Sequence, residues 1–116
     1  MNYKTRLILG ASILFTSLNA SANFGCSGSV NYLGMEGNGN VFVSLNDSVH
    51  VHAICSVNEQ GAFGVTTAAC RSMYATLLLA KSTSRDAHLY YSDMAFTCAT
   101  IPNWGKMPST YFVEID

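Results

Sequence analysis

Short segments that alternate apolar and polar residues, separated by turn sequences, predict a mainly β protein. Residues 29–35 and 40–45 have strand composition, and the glycine-rich turn at 36–39 between them indicates a β-hairpin. The same criteria predict further strands at residues 49–55, 87–92, 95–99 and 110–115.

The strand predicted at residues 49–55 carries two histidines on one face. In its sequence, VHVHAIC, His50 and His52 alternate with apolar residues, so both imidazoles fall on the same side. We interpret both, together with His88, as polar positions on the solvent side of half-buried strands. A metal site is the alternative, but two histidines would need a third ligand, and we predict none. The opposite side is predicted to face the core and consists of Val49, Val51, Ala53 and Cys55.

One amphipathic helix is predicted in the middle of the chain. Thr67 is a suitable N-cap for a helix over residues 68–81. Leu79 lies opposite Cys70 on the helical wheel, so the helix also carries an apolar residue on its outer side. The residues that recur at helical spacing and form the inner apolar face are Cys70, Met73, Tyr74, Leu77 and Leu78.

The predicted order is three strands, one helix, and two or three further strands. One helix among five or six antiparallel strands is too little for a βαβ architecture. We therefore predict a mainly β fold with one helix, arranged as a small Greek-key barrel of the OB-fold type and stabilised by disulfides.

The first 22 residues have the features of a secretory signal peptide. Lys4 and Arg6 precede the apolar stretch 7–18, and Ala20-Ser21-Ala22 matches an A-x-A cleavage site. We predict cleavage after Ala22, one domain over residues 23–116, and a secreted or periplasmic location. The apolar stretch is too short to cross a bilayer, so no membrane span is predicted.

Composition excludes several classes of protein. Apolar residues make up 49% of the chain and charged residues 11%, which is not the composition of a disordered protein. Seven acidic residues against six basic ones leave no basic footprint for nucleic acid. The sequence has no G-x-S-x-G motif and its carboxylates are scattered, so we predict no catalytic residues, no cofactor and no enzymatic activity.

Four cysteines lie in the predicted mature chain. An even number of cysteines in a small exported protein indicates two disulfides, although their spacing allows three pairings. Zinc is the competing interpretation, but no two cysteines have the C-x₂₋₄-C spacing of a zinc knuckle. The four residues are Cys26, Cys55, Cys70 and Cys98.

Several short stretches of the chain are similar to one family of exported proteins. Residues 27–30 (SGSV) open the first strand, and Cys55 and Cys70 stand 15 positions apart, between a strand end and a helix start. Residues 74–77 (YATL) lie on the helix, and residues 89–91 (LYY) follow in the next strand. Over residues 24–92, this series resembles the B subunits of pentameric toxins of the subtilase-cytotoxin and typhoid-toxin type. The segment 93–116 has no counterpart in the resemblance.

The resemblance implies an OB-fold, a homopentamer and recognition of sialylated cell-surface glycans. It implies a Cys55–Cys70 disulfide, which would leave Cys26 to pair with Cys98. Ser27 and Tyr91 match two sugar-contacting positions of the family, whereas position 29 is Ser where the family has Val. The chain would serve as a toxin B subunit with an A subunit as partner, or act alone as a solitary homologue.

Aromatic residues are the other candidates for ligand binding. Tyr90 and Tyr91 are adjacent in a strand and point to opposite faces, so one of them is expected at the surface. We predict that Tyr91 and Ser27 meet in a shallow glycan site; alternatively, Ser27 bonds to the backbone and Tyr91 belongs to the core. Trp104, in a Pro/Gly loop, is interpreted as a plug at a barrel end, with a binding role as the alternative. The alternative function for the whole chain is a non-enzymatic secreted or periplasmic binding or inhibitor protein.

Overall fold

Two β-sheets and one α-helix make up the fold. The computed structural model describes residues 23–93 and 95–116, and the predicted signal peptide lies outside them. One sheet has the strand order β1-β5-β7 and the other β2-β3-β4-β6. The elements are β1 (Asn23–Gly28), β2 (Val30–Met35), β3 (Asn40–Leu45), β4 (His52–Ser56), α1 (Thr67–Ser82), β5 (Ala87–Ser92), β6 (Gly105–Lys106) and β7 (Thr110–Ile115).

A sharp turn at Gly28 passes the chain from one sheet to the other. Gly28 has a φ of +129°, and a Cβ there would lie 2.7 Å from the Cβ of Asn46, so only glycine fits. Ser29 alone separates β1 from β2, and these strands belong to different sheets. The two sheets do not close into a barrel. The confirmed part of the predicted fold is therefore a mainly β domain with one helix and two disulfides.

The core lies between the sheets, and the central strand β3 is buried along its whole length. The predicted β2–β3 hairpin is confirmed, with antiparallel pairing from Val30↔Leu45 to Met35↔Val41. β5 and β7 have the predicted bounds. The largest core side chains include Tyr91, Leu45, Ile54, Leu77, Leu89, Ile101 and Met107.

Strand β4 begins three residues later than predicted, which changes the environment of its residues. The turn after β3 is closed by two bonds that the Leu45 N–H donates to the Ser48 carbonyl and hydroxyl. Residues 49–51 therefore lie outside the ladder, and Val49 is 64% exposed rather than in the core. His52 becomes the first residue of β4 and is fully buried, so its predicted place on a solvent face is wrong.

The strand predicted at residues 95–99 is also wrong. Local side chains capture the backbone there, because Asp93 Oδ1 accepts from the Ala95 N–H and Thr100 Oγ1 accepts from the Thr97 N–H. The next strand is instead the two-residue β6, which pairs with β4 in parallel, unlike the antiparallel arrangement predicted throughout.

Helix α1 begins one residue earlier than predicted. Its N-cap is Thr66, whose hydroxyl accepts from the Ala69 N–H at 3.1 Å, rather than Thr67. Leu77 is buried, whereas Leu78, predicted on the inner face, is 47% exposed. Leu79 is 52% exposed, so its predicted outward position is confirmed and two adjacent leucines project from the helix.

Two disulfides connect distant parts of the chain. Cys55 on β4 is bonded to Cys70 on α1, and Cys26 on β1 is bonded to Cys98 in the loop after β5. These are the pairings that the resemblance implies. The Cys55–Cys70 bridge fastens the helix to the four-stranded sheet, and both of its residues are fully buried.

Candidate functional site

Tyr91 lies in the core and not at the surface. Its ring stacks on Phe24 with centroids 4.8 Å apart, and its hydroxyl lies 2.6 Å from His52 Nε2. Neither Tyr91 nor His52 has exposed surface, so a ligand in solvent cannot reach either side chain. The structure therefore places Tyr91 in the core, as in the alternative interpretation, where it cannot contact a glycan.

The strand register also separates Ser27 from Tyr91. β1 and β5 run antiparallel, with Ser27 opposite His88 and Tyr91 opposite Phe24. The end of β1, with Ser27, therefore lies beside the start of β5. Tyr91 lies three positions further along the ladder, so the predicted meeting of Ser27 and Tyr91 does not occur. The two residues do not form a common site.

Ser27 itself is engaged within the protein. Both its backbone N–H and its hydroxyl donate to Asp47 Oδ2 at 3.2 Å. Next to this pair, the Asn31 side chain donates to Asn46 Oδ1 at 3.1 Å. A carboxylate of the chain thus already accepts the two hydrogen bonds that Ser27 offers, so an acidic ligand there would have to displace it.

An aromatic platform lies on the outer face of the four-stranded sheet; we use this name for Tyr32, Phe42 and Trp104. The Trp104 ring centroid is 5.7 Å from that of Tyr32, edge to face, and 5.6 Å from that of Phe42. Trp104 is 58% exposed and Tyr32 40%, while Phe42 forms the base. The interpretation of Trp104 as a plug is therefore wrong, and its ring is available to a ligand.

The backbone fixes Trp104 in an unfavourable conformation. Its φ of +59° is in the left-handed region, which costs a non-glycine residue roughly 1–2 kcal/mol. The Trp104 N–H donates to the Val51 carbonyl at 2.6 Å, and the Met107 N–H donates to the Ala53 carbonyl at 2.8 Å. These bonds fasten the loop to Val51 and to β4, at the tryptophan itself and three residues after it, and hold the indole over the sheet.

A polar cleft of about 270 Å³ adjoins the platform. Three segments form it: the β2–β3 turn, the loop between β4 and α1, and Lys106 with Pro108. The Val57 N–H connects the first two by donating to the Gly39 carbonyl at 3.0 Å. Phe42 of the platform and Phe63 of the cleft belong to the same buried cluster, which makes the two features continuous. The side chains that line the cleft and can contact a ligand are Asn38, Asn40, Glu59, Gln60, Phe63 and Lys106.

The cleft offers hydrogen-bonding groups beside an apolar wall. Lys106 Nζ lies 5.9 Å from the centroid of the Phe63 ring. The Gln60 side-chain amide donates to the Phe63 carbonyl at 3.1 Å, which fixes the orientation of this side chain. Amides, a carboxylate, an ammonium group and aromatic rings together suit a small polyhydroxylated ligand with apolar C–H faces.

None of the cleft residues was singled out from the sequence. Residues 36–39 and 58–64 read as turns, because their glycines and amides are typical turn residues. The useful signal was the amide-rich composition of both segments, but nothing in the sequence indicates that they meet in space.

The described residues contain no group of three His, Cys, Asp or Glu side chains that could hold a metal ion. Over residues 23–93 and 95–116, no helix has the length and hydropathy needed to cross a membrane.

The fold and the site define a small disulfide-bonded β protein with an aromatic platform and an adjoining polar cleft on one sheet face. Comparison with protein-family models, with curated proteins and with solved structures found no match to the chain.

Proposed function

We propose that the protein is an exported glycan-binding protein that holds a sugar against the aromatic platform and in the adjoining cleft. The observation that carries this proposal is the exposed indole of Trp104, which packs on Phe42, a residue of the same buried cluster as Phe63 of the amide-lined cleft. An aromatic face packs well against the C–H face of a pyranose, while amides bond to its hydroxyls. The site is shallow, so we expect weak affinity per copy that multivalency would raise.

The resemblance to toxin B subunits extends the proposal to fold and assembly. Two features support an OB-like topology. The nearly continuous strands β1 and β2 pass from one sheet to the other at Gly28, and α1 lies between β4 and β5 in the chain. We propose export by the N-terminal signal peptide, which fits the two disulfides. The resemblance also implies assembly as a homopentamer, with or without an A subunit. It further implies that the receptor glycans are sialylated.

A non-enzymatic binding or inhibitor protein is the second candidate function. The outer face of the three-stranded sheet favours it, because the edge strand β7 exposes 41% of Tyr111 and 48% of Phe112. Exposed aromatics on a sheet edge are typical of a surface that contacts another protein.

The first test uses the single tryptophan of the chain as a reporter. Sugar binding at the platform should shift its emission to the blue, because a ligand would replace water on the 58% exposed indole. Trp104→Ala should weaken binding of oligosaccharides selected on a glycan array by at least about tenfold, equal to about 1.4 kcal/mol. Titration calorimetry measures the affinity of the variant.

Tyr111→Ala is the matched control, since it removes a similarly exposed aromatic from the other sheet. It should leave glycan affinity unchanged. If Tyr111→Ala abolished binding while Trp104→Ala did not, the platform would not be the site. Retention of no oligosaccharide at millimolar concentration would refute the glycan-binding proposal and leave the second candidate.

The second test concerns assembly. Leu78 and Leu79 project side by side from α1, and burial between copies would remove their apolar surface from water. We expect the native protein to sediment as an oligomer at micromolar concentration, and Leu79→Glu to dissociate it without lowering the melting temperature. Val49→Glu, at an even more exposed apolar residue, should leave the oligomer intact. A native protein that sediments as a monomer would contradict the ring.

A further inference from the structure

We infer that the cleft selects an uncharged sugar over an acidic one. This inference rests on the proposed function and goes beyond it by naming the class of ligand. It differs from the sialylated ligand that the resemblance implies, because it follows from the charges and hydrogen bonds of this chain alone.

Two carboxylates and one cation lie in or next to the cleft. Glu59 lines it, and the exposed Glu36, outside the lining, accepts from the side chain of the lining residue Asn40 at 3.2 Å through its Oε2. Lys106 is the single cation of the lining. Neither carboxylate is within 4.0 Å of a cationic group among the described residues, where His88–Asp116 is the one ion pair. An anionic ligand would therefore meet one negative and one positive charge in the lining, and the second negative charge of Glu36 next to it.

Lys106 is poorly placed to attract an anionic ligand against the negative charges at the cleft. Its ammonium lies over the Phe63 ring at 5.9 Å, where the negative face of the ring already attracts it. A ligand carboxylate next to Lys106 would also lie within the same small cleft as Glu59. Repulsion between like charges at such separations is only partly screened by salt, because the Debye length at physiological ionic strength is about 8 Å.

The open acceptors of the cleft favour a ligand that donates hydrogen bonds. Asn40 and Gln60 each use one of their two side-chain N–H donors inside the protein, toward Glu36 and the Phe63 carbonyl respectively. Within the described part of the chain, no protein donor bonds to the Gln60 side-chain oxygen or to the Glu59 carboxylate, so both remain acceptors for a ligand. Sugar hydroxyls can donate to them, whereas a carboxylate has no proton to give.

The Asp47–Ser27 pair points in the same direction at the other predicted contact. There the chain's own carboxylate accepts both hydrogen bonds from Ser27. At both the cleft and the Ser27–Asp47 pair, a carboxylate of the protein therefore lies beside the groups that could donate to an acidic sugar.

The test compares one oligosaccharide with and without its terminal sialic acid. We expect the neutral form to bind at least ten times more tightly, measured by the Trp104 emission shift and by calorimetry. Glu59→Gln should reduce this ratio at least threefold, with the larger change in the sialylated form. Asp86→Asn, an equal charge change at an exposed residue beside the three-stranded sheet, should leave the ratio unaltered.

The outcomes separate the inference from the proposed function. Tighter binding of the sialylated form would overturn the inference while supporting glycan binding. A neutral preference that Glu59→Gln leaves unchanged would also overturn it, because the selectivity would then arise outside the cleft. Absence of binding by both forms at millimolar concentration would instead refute the proposed function.

Discussion

Reduction of both disulfides is expected to unfold the protein at about 37 °C, which is a common result for small exported domains. The bridge Cys55–Cys70 closes a loop of 15 residues and Cys26–Cys98 one of 72. By loop entropy these are worth about 3 and about 4 kcal/mol respectively. Small domains have a total stability of roughly 5–15 kcal/mol, so losing both bridges removes a large part of it.

The two bridges differ in how their removal acts. Cys55 and Cys70 are fully buried, so their replacement by alanine also leaves a gap between helix and sheet. Cys98 is partly exposed and only Cys26 is buried, so replacing the Cys26–Cys98 pair leaves a smaller gap and acts more through the entropy of the unfolded chain. We expect each double-alanine variant to remain folded near room temperature with a lower denaturation midpoint, and the fourfold variant to lose its cooperative transition.

Urea denaturation followed by near-ultraviolet circular dichroism measures these differences. Alkylation of the unreduced protein under denaturing conditions is the control for the starting state and should label no thiol. A reduced protein with an unchanged denaturation midpoint would contradict the stabilising role of the bridges.

The strands that could be predicted from the sequence are those whose side chains alternate cleanly between core and solvent. Ala87–Ser92 is of this kind, and its observed bounds match. Thr110–Ile115 also has the predicted bounds, although the ladder is irregular there and the adjacent Tyr111 and Phe112 are both exposed. His52 was placed incorrectly because alternation assigns a polar residue to the solvent face. A buried histidine with two hydrogen-bonding partners gives the same pattern, and its partner Tyr91 lies 39 residues away.

The candidate site was harder to predict than the fold because it depends on contacts between segments distant in sequence. Trp104 reaches the sheet only because its N–H bonds to the Val51 carbonyl, a contact across 53 positions that no local pattern encodes. Ser27 was predicted to open the first strand, whereas it lies near the end of β1. Asp47, which accepts the hydrogen bonds of Ser27, lies in the turn after β3 of the other sheet. The sequence therefore does not indicate that these two residues meet.

The buried His52–Tyr91 pair is expected to make the fold sensitive to acid. The His50 carbonyl can only accept, so His52 Nδ1 must donate to it at 2.9 Å. Nε2 of the neutral ring is then an acceptor, and the Tyr91 hydroxyl donates to it at 2.6 Å. Burial raises the pKa of Tyr91 far above its usual range, so this hydroxyl keeps its proton. The bond joins β4 of one sheet to β5 of the other.

Protonation of His52 would reverse this bond. Nε2 would become a donor, and the Tyr91 proton would lose its acceptor inside the core. Burial lowers the pKa of His52 below its usual value of 6.5; the hydrogen bond to the His50 carbonyl opposes this in part, and the His50 ring adds to it. The unfolded chain therefore binds this proton more readily than the folded one. The stabilisation is present above pH 6.5 and is lost as the pH falls from there toward the lower pKa of the folded protein.

The free energy of unfolding should decrease by up to about 1.4 kcal/mol per pH unit in that range, which is the limit for one proton. Urea titrations between pH 7.5 and pH 5, about one unit or more on either side of an ordinary histidine pKa, measure this slope. Tyr91→Phe keeps the stacked ring but leaves His52 Nε2 without its donor, which should cost about 1–3 kcal/mol at neutral pH. His52→Gln should abolish the acid-dependent loss, because no ionisable group remains at the position.

His88→Gln is the matched control for this experiment. His88 lies at the surface, where its Nε2 is 2.9 Å from Asp116 Oδ1, so its replacement leaves the buried pair intact. The acid-dependent loss of stability should persist in this variant and disappear only in His52→Gln. If the slope instead persisted in His52→Gln, the acid sensitivity would arise outside the buried pair, and the His52–Tyr91 bond would contribute stability that does not depend on pH.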